Sequence, residues 1–340
     1  MSGVLFIGGN IMEYRANEGR YETMKYRRCG RSGILLPAIS LGLWKNFGSV
    51  DSYPNAKRML HRAFDLGITH FDLANNYGPE YGSAESTFGS VFRESFIPYR
   101  DEMIVSTKAG YDMWPGPYGN WGSRKYLVAS LDQSLRRTGL EYVDIFYHHR
   151  PDPETPLEET LGALEYIVKS GKALYAGLSN HPASNIPAAK KYFESARVPF
   201  IIHQSKYSMF ERTIEKELID ACGSNGIGVI AFSPLAQGLL SDRYLNGIPT
   251  DSRAARFKPA HDLITPSNIE KVIKLNAIAM RRGQSLTQMA LQWVLRKETV
   301  CSAIIGASSV SQIEENVASM SFPSLDENEC REIEKVMVGE

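Results

Sequence analysis

Short runs of apolar and β-branched residues recur along the chain. Each is followed by a stretch in which apolar positions return every three or four residues. The runs, at 38–43, 69–74, 103–107, 143–148, 173–178, 200–204, 228–232 and 302–305, have the length and composition of buried strands. The stretches between them carry the period of helices packed on one face and start near Tyr53, Ser83, Ser123, Pro156, Pro182, Arg212 and Ser285. A last strand–helix step ends in 309–321. Thr155 as cap, Pro156 as first helical residue and Glu158 and Glu159 in the first turn suit a helix start. Gly67, Gly139, Gly171 and Gly226 stand where helices should stop. Strands that alternate with helices pair in parallel, because each crossover returns the chain in the same direction. Eight such units predict an α/β fold, a closed (β/α)8 TIM barrel. No GxGxxG follows the first run, which argues against an open dinucleotide-binding sheet.

Two segments interrupt the alternation. The loop 112–123 (DMWPGPYGNWGS) is rich in Gly, Pro and aromatics. A long polar insertion, 236–267, follows the seventh strand and leads to an extra helix at 268–282. Loops of this length are usually functional or mobile. Residues 325–338 read as a C-terminal helix. Residues 1–24 show no period and read as an N-terminal arm ahead of a single domain at 25–340.

Composition narrows the setting more than the chemistry. Of 340 residues, 43% are hydrophobic, and 38 basic residues balance 38 acidic ones. A formal charge of zero gives no reason to expect a nucleic-acid partner. No apolar stretch approaches a membrane span, so no membrane partner is expected. Cys29, Cys222, Cys301 and Cys330 are far apart without metal-ligand or redox spacing, so no metal site is expected and reduced thiols are. The first residues lack a basic stretch and a long apolar run, so the expected location is cytoplasmic.

The chemistry lies at the ends of the apolar runs. In a barrel of this kind the C-terminal strand ends form the active site. The second run leads into Asp72 with Tyr77 beyond it, the third into Lys108, and the fourth into His149. Ser179, Asn180, Gln204, Ser233, Gly306 and Ser308 follow at the later strand ends. A carbonyl reduction needs a proton at oxygen and a hydride at carbon. Tyrosine ionises near pH 10, too high for easy proton exchange, and a neighbouring ammonium lowers that value. Tyr77 is thus a candidate proton donor, Lys108 its cation, Asp72 the carboxylate that holds Lys108, and His149 a hydrogen-bond donor to the carbonyl. No side chain supplies hydride, so a nicotinamide cofactor is required. Taken singly, Lys108 also suits a surface strand end and His149 a core imidazole. His148 alternates to the opposite strand face and reads as structural.

The segments GLWKNFG, THFDLANNYGP, STKAG, YVDIFYHHRPD, GLSN, SPLAQGLL and IIGASS, in that order, resemble the landmarks of the aldo-keto reductases over about 26–338. The resemblance implies the tetrad Asp72, Tyr77, Lys108 and His149, with HRPD selecting His149. It implies NADP(H) as cofactor and Trp44 and Asp72 among its contacts. Ser179, Asn180 and Gln204 would hold the nicotinamide carboxamide and Phe232 would stack on its ring. Ser233, Leu235, Gln237 and Arg243 would line the pyrophosphate. Gly306, Ser308, Gln312, Glu315 and Asn316 would surround the adenosine end. Many members carry a Lys-Ser pair and an Arg around the 2′-phosphate. Here Gly306-Ala307 and Gln312 stand there, and Arg253 is the substitute cation. KAGYDMWPGPYG, SRKYL and YLNGIP resemble a branch acting on small aldehydes, including L-glyceraldehyde 3-phosphate and methylglyoxal. Trp44, Trp114, Tyr118 and Trp121 would wall the substrate pocket or pack under the loop, with Arg124 or Arg150 as phosphate cations. The resemblance also implies a tetramer or octamer. A more distant likeness to potassium-channel β subunits leaves a second reading, a redox-sensing regulatory subunit of a larger complex.

Overall fold

The computed structural model describes residues 14–250 and 252–339. A short antiparallel hairpin, β1 (Tyr26–Arg28) and β2 (Leu35–Pro37), comes first. Eight parallel strands then close on themselves: β3 (Ile39–Gly42), β4 (His70–Asp72), β5 (Ile104–Ala109), β6 (Val143–His148), β7 (Ala173–Ser179), β8 (Phe200–Lys206), β9 (Gly228–Phe232) and β10 (Val300–Ile305). Strand β10 pairs with both β9 and β3, so no edge is left open. The expected (β/α)8 barrel is the observed fold.

Helices cover the outside: α1 (Tyr53–Asp65), α2 (Ser83–Val91), α3 (Arg124–Thr138), α4 (Leu157–Lys169), α5 (Asn185–Ala196) and α6 (Leu218–Ser224). Helix α1 shows why the period reads correctly. Ala56, Met59, Leu60, Ala63 and Phe64 recur at helical spacing and are buried, while Ser52 accepts from Asn55 N and caps the start. Burying each large side chain of that stripe contributes about 1.5–3 kcal/mol. The four glycines expected to end helices all have φ between 69° and 83°.

Several boundaries differ from expectation. Pro156 is the N-cap of α4 rather than its first residue, and Thr155 does not cap it. Asp152 Oδ1 instead accepts from the backbones of Glu154 and Thr155 at 2.9 and 3.1 Å, which ties the turn off before the helix. Helix α5 starts at Asn185 rather than Pro182, and α6 at Leu218 rather than Arg212. Arg212 is drawn out to Glu215 and Glu334 at 2.6 Å each. The insertion 236–267 is not a bare loop. It holds α7 (Arg253–Arg256) and α8 (Lys258–His261) around a satellite core of Tyr244, Ala254 and Ala260. Four-residue helices are too short to show a period. Beyond them lie α9 (Pro266–Arg281), α10 (Leu286–Val294), α11 (Val310–Ala318) and α12 (Glu327–Val338).

The hairpin has no counterpart in the pattern, since three-residue strands carry no alternation to read. It closes the N-terminal end of the barrel. Cys29 and Leu36 join the interior residues Ile145, Ile202, Ile230 and Ile304 in one apolar cluster. Gly30 has φ 55°, and a Cβ there would lie 2.2 Å from Gly226 O, so only glycine fits. Of the expected arm, residues 1–13 lie outside the described residues. Tyr14 packs on α1, donating to Asp65 Oδ1 at 2.8 Å and stacking on His61 at 3.9 Å. No described helix is long and apolar enough to cross a membrane.

Candidate active site

The strand ends deliver the four expected side chains to one place. Asp72 ends β4, Lys108 lies in β5, and His149 follows β6, with Tyr77 in the loop before α2. Register pairs Asp72 with Ser106 and Lys108 with Tyr147, which turns both charged side chains into the barrel. Lys108 is fully buried, with Nζ 2.6 Å from Asp72 Oδ2 and donating to Leu73 O at 2.6 Å. An ammonium is tolerated there only because a carboxylate and a carbonyl replace its water. Burial pushes the Lys108 pKa down, and the Asp72 carboxylate opposes that most strongly. The ammonium lies 5.0 Å from the centre of the Tyr77 ring. The His149 ring meets Tyr77 edge-on at 5.9 Å. His148 faces away from this group and pairs with His181 Nε2 at 2.9 Å.

The electrostatics correct one expectation. Lys108 was expected to bring the Tyr77 pKa down, but that pKa is raised well above its usual value. Burial is the main cause, followed by Asp72 and Tyr111. The Lys108 ammonium 5.0 Å from the ring centre does not reverse this rise. Tyr77 is therefore a protonated hydroxyl at neutral pH, the form a proton donor needs. Burial also holds the His149 pKa well below its usual 6.5, with Lys108 adding to the effect. Its imidazole is neutral and carries one N–H. The expected result is that kcat/KM for aldehyde reduction stays flat from about pH 6 to about pH 9. A fall below pH 7 that disappears in His149→Gln would contradict this assignment.

Strained backbone marks the same rim. Asn46, Trp121, Asn180, Ser233, Ala236 and Gln237 have positive φ, and all lie in loops leaving the C-terminal strand ends. Such conformations cost about 1–3 kcal/mol each and concentrate at ligand sites. Around them the expected cofactor residues are placed as follows. Ser179 is buried at the end of β7, and Asn180 Nδ2 donates to His149 O at 3.0 Å. Gln204 Nε2 donates to Asp72 Oδ1 at 3.1 Å. Phe232 ends β9, and Leu235 and Gln237 follow in its loop, where Gln237 Nε2 donates to Ser233 Oγ at 3.1 Å. Arg243 lies in the turn Asp242–Tyr244 beyond it. Gly306 opens onto space, and Gln312 Oε1 accepts from Ser308 N at 2.8 Å. Asn316 is buried in α11, whereas Glu315 accepts from Ser285 Oγ at 2.7 Å and so faces the start of α10.

Arg253 carries the clearest sign of a ligand. Its Nε and Nη2 are buried without a hydrogen-bond partner among the described residues. The guanidinium lies 5.0 Å from Trp44 and 5.4 Å from Phe257. Lys45 Nζ joins it 3.9 Å from the Phe257 ring. Two cations held on aromatic faces, the guanidinium with unfilled donors, suit a phosphate. Lys45 was not among the expected residues. Its only signal was its place beside Trp44 in GLWKNFG, and a lone lysine there looks like any surface lysine.

The aromatic set divides. Trp114 packs on Tyr126 at 5.1 Å under the loop, and exposed Tyr118 lies over Lys125 at 5.3 Å. Trp121 and Tyr111 both lie against the Arg150 guanidinium, with ring centres at 3.7 and 4.2 Å. Tyr111 in turn meets His149 at 4.7 Å, so Arg150 borders the tetrad. Arg150 donates to Gly110 O and Asn120 Oδ1 at 2.8 and 2.9 Å, both neutral acceptors. Arg124 is spent outside the barrel on Gly162 O at 3.0 Å.

Comparison with known proteins agrees with this geometry. The family model of the Aldo/keto reductase family matches residues 38–338. The chain is 52% identical over 332 residues to an L-glyceraldehyde 3-phosphate reductase of Escherichia coli strain K12, covering 95% of each chain. It is 36% identical over 307 residues to a probable voltage-gated potassium channel subunit beta of Arabidopsis thaliana, covering 87% of this chain and 91% of that one. A barrel with a buried Asp–Lys pair, a tyrosine and an imidazole on one rim, matched along nearly its full length, belongs to an oxidoreductase of the aldo/keto reductase family.

Proposed function

We propose that the protein reduces small aldehydes to alcohols with NADPH, taking L-glyceraldehyde 3-phosphate and also methylglyoxal. The convergence of Tyr77, His149 and the Lys108–Asp72 pair at one rim carries this reading. The likeness to an L-glyceraldehyde 3-phosphate reductase supports the substrate. When bound, the nicotinamide supplies the hydride. Neutral His149 orients the carbonyl oxygen through its N–H. Tyr77 gives that oxygen its proton, and the Lys108 ammonium stabilises the phenolate left behind. Asp72 keeps the ammonium in place. Ser179, Asn180 and Gln204 would hold the carboxamide, and the loop 233–237 would hold the phosphates. Arg253 with Lys45 answers for the missing Lys-Ser pair. One hydrogen bond to a charged group is enough to set a tenfold NADPH preference, about 1.4 kcal/mol.

Arg150 is the anchor we assign to the substrate phosphate. It reaches His149 through Tyr111, lies against two aromatic rings, and is held by neutral acceptors that leave its charge uncompensated. Nicotinamide oxidation with NADPH and NADH against a panel of aldehydes tests the whole reading. Arg150→Met should raise KM for L-glyceraldehyde 3-phosphate by about 10–100-fold and leave methylglyoxal nearly unchanged. Equal losses on both substrates would remove Arg150 from this role. No turnover with any aldehyde and either cofactor would overturn the enzyme reading and favour the regulatory subunit.

A further inference from the structure

Below the active site, the barrel interior is not uniformly apolar. Four polar residues that face inward, Ser40, His70, Ser106 and Ser302, are completely buried. They form a continuous chain. Ser106 Oγ donates to Asp72 Oδ1 at 2.7 Å, His70 Nε2 lies 2.9 Å from Ser106 Oγ, and His70 Nδ1 lies 2.9 Å from Ser40 Oγ. Ser40 Oγ lies 2.6 Å from Ser302 Oγ. Leaving such groups in an apolar core is costly unless each is satisfied. Apolar residues would fill the same volume more cheaply.

The direction of this chain follows from its upper end. Asp72 is an ionised carboxylate that only accepts: Oδ2 takes Lys108 Nζ, and Oδ1 takes Gln204 Nε2 and Ser106 Oγ. Ser106 has one proton and gives it to Asp72, so it must accept from His70 Nε2–H. Burial holds the His70 pKa at about 4, so the ring is neutral and has only one N–H. Nδ1 must then accept from Ser40, and Ser40 accepts from Ser302, whose proton favours this 2.6 Å contact over Ala38 O at 3.4 Å.

We propose that Ser106 and His70 are positioning residues for the reaction. They belong to a one-way hydrogen-bond chain from Ser302 to Asp72 that fixes the carboxylate beneath Lys108. The role of Asp72 in this statement rests on the reading above, but the direction of the chain does not. The carboxylate has two tasks, since one oxygen holds Lys108 and the other needs donors that keep it from rotating. Ser106 supplies such a donor, and His70 holds Ser106 in the orientation that supplies it. The chain thus carries the charge of Asp72 down the barrel axis as a set of oriented O–H and N–H dipoles.

The direct test is the tautomer of His70, read by 15N NMR of histidine-labelled protein. The expected state is neutral with the proton on Nε2, constant from about pH 6 to about pH 9. In Asp72→Asn, Lys108 keeps the amide oxygen, the amide nitrogen turns to Ser106, and the Gln204 amide turns over to present its oxygen to that nitrogen. The chain then reverses, and the proton should move to Nδ1 of His70. A spacer role with no defined direction would leave the tautomer unmoved. Ser106→Ala should lower kcat about tenfold with the KM for NADPH within about twofold, and Ser106→Thr should restore most of the loss. A proton on Nδ1 in the wild type, or an unchanged tautomer in Asp72→Asn, overturns the chain even if Tyr77 is the proton donor. Conversely, an active Tyr77→Phe overturns the catalytic reading while leaving the tautomer as stated.

Discussion

Tyr77→Phe should lower aldehyde reduction by about 10²–10⁴-fold, the usual contribution of a positioned proton donor, while NADPH affinity stays within about twofold. The substitution removes only the hydroxyl. The ring keeps its edge contact with His149 at 5.9 Å and its place 5.0 Å from Lys108 Nζ, so packing and charge are nearly preserved. Single-turnover oxidation of bound NADPH separates the chemical step from product release. Fluorescence titration with NADPH gives the affinity. A variant that keeps more than a tenth of the wild-type rate would show that another group delivers the proton. His149 is not a substitute acid, because burial keeps it neutral and its N–H serves as an orienting donor.

Lys108→Met should have the largest effect on stability. It leaves the Asp72 carboxylate at 2% exposure with no counter-charge, a situation that costs about 3–5 kcal/mol. The thermal midpoint should fall clearly, and reduction should fall with it because the phenolate of Tyr77 loses its cation. Asp72→Asn placed in the same chain removes the stranded charge. The double variant should therefore be more stable than Lys108→Met alone, by a coupling of about 0.5–3 kcal/mol, although its activity stays low. A midpoint for Lys108→Met equal to that of the wild type would mean that water reaches Asp72 and that the pair is not buried as described.

The barrel was legible because strand and helix periods differ. Runs such as 228–232 are apolar on both faces, as a strand enclosed by helices must be, and the observed β9 has those same bounds. Helix α1 was equally plain from its stripe at Ala56, Met59, Leu60 and Ala63. The hairpin β1–β2 and the helices α7 and α8 were not, because three or four residues hold less than one repeat of either pattern. The start of α4 was misplaced by one residue. A Thr-Pro cap is a local preference, and here Asp152 holds the Glu154 and Thr155 backbones in a turn ahead of the helix.

The same division runs through the site. The order of residues along the chain determined which side chains reach the rim, since a strand end carries its residue there whatever else the fold does. It thereby determined Asp72, Lys108 and His149; strand alternation put His148 on the other face, and the family resemblance through HRPD selected His149. Only the tertiary structure decided the state of these groups. The direction of the Tyr77 pKa depends on how much protein surrounds the hydroxyl, and burial outweighs the lysine that local reasoning had favoured. Lys45 joins Arg253 only because the insertion after β9 folds back onto the loop after β3, and Arg150 rather than Arg124 meets Tyr111 and Trp121 only once the loop 112–123 closes. Ser40, His70, Ser106 and Ser302 come from three separate strands, β3, β4 and β5, and from β10 across the closure of the barrel. Sequence spacing reports neighbours along one element, whereas these hydrogen bonds run between elements and exist only after the barrel has closed.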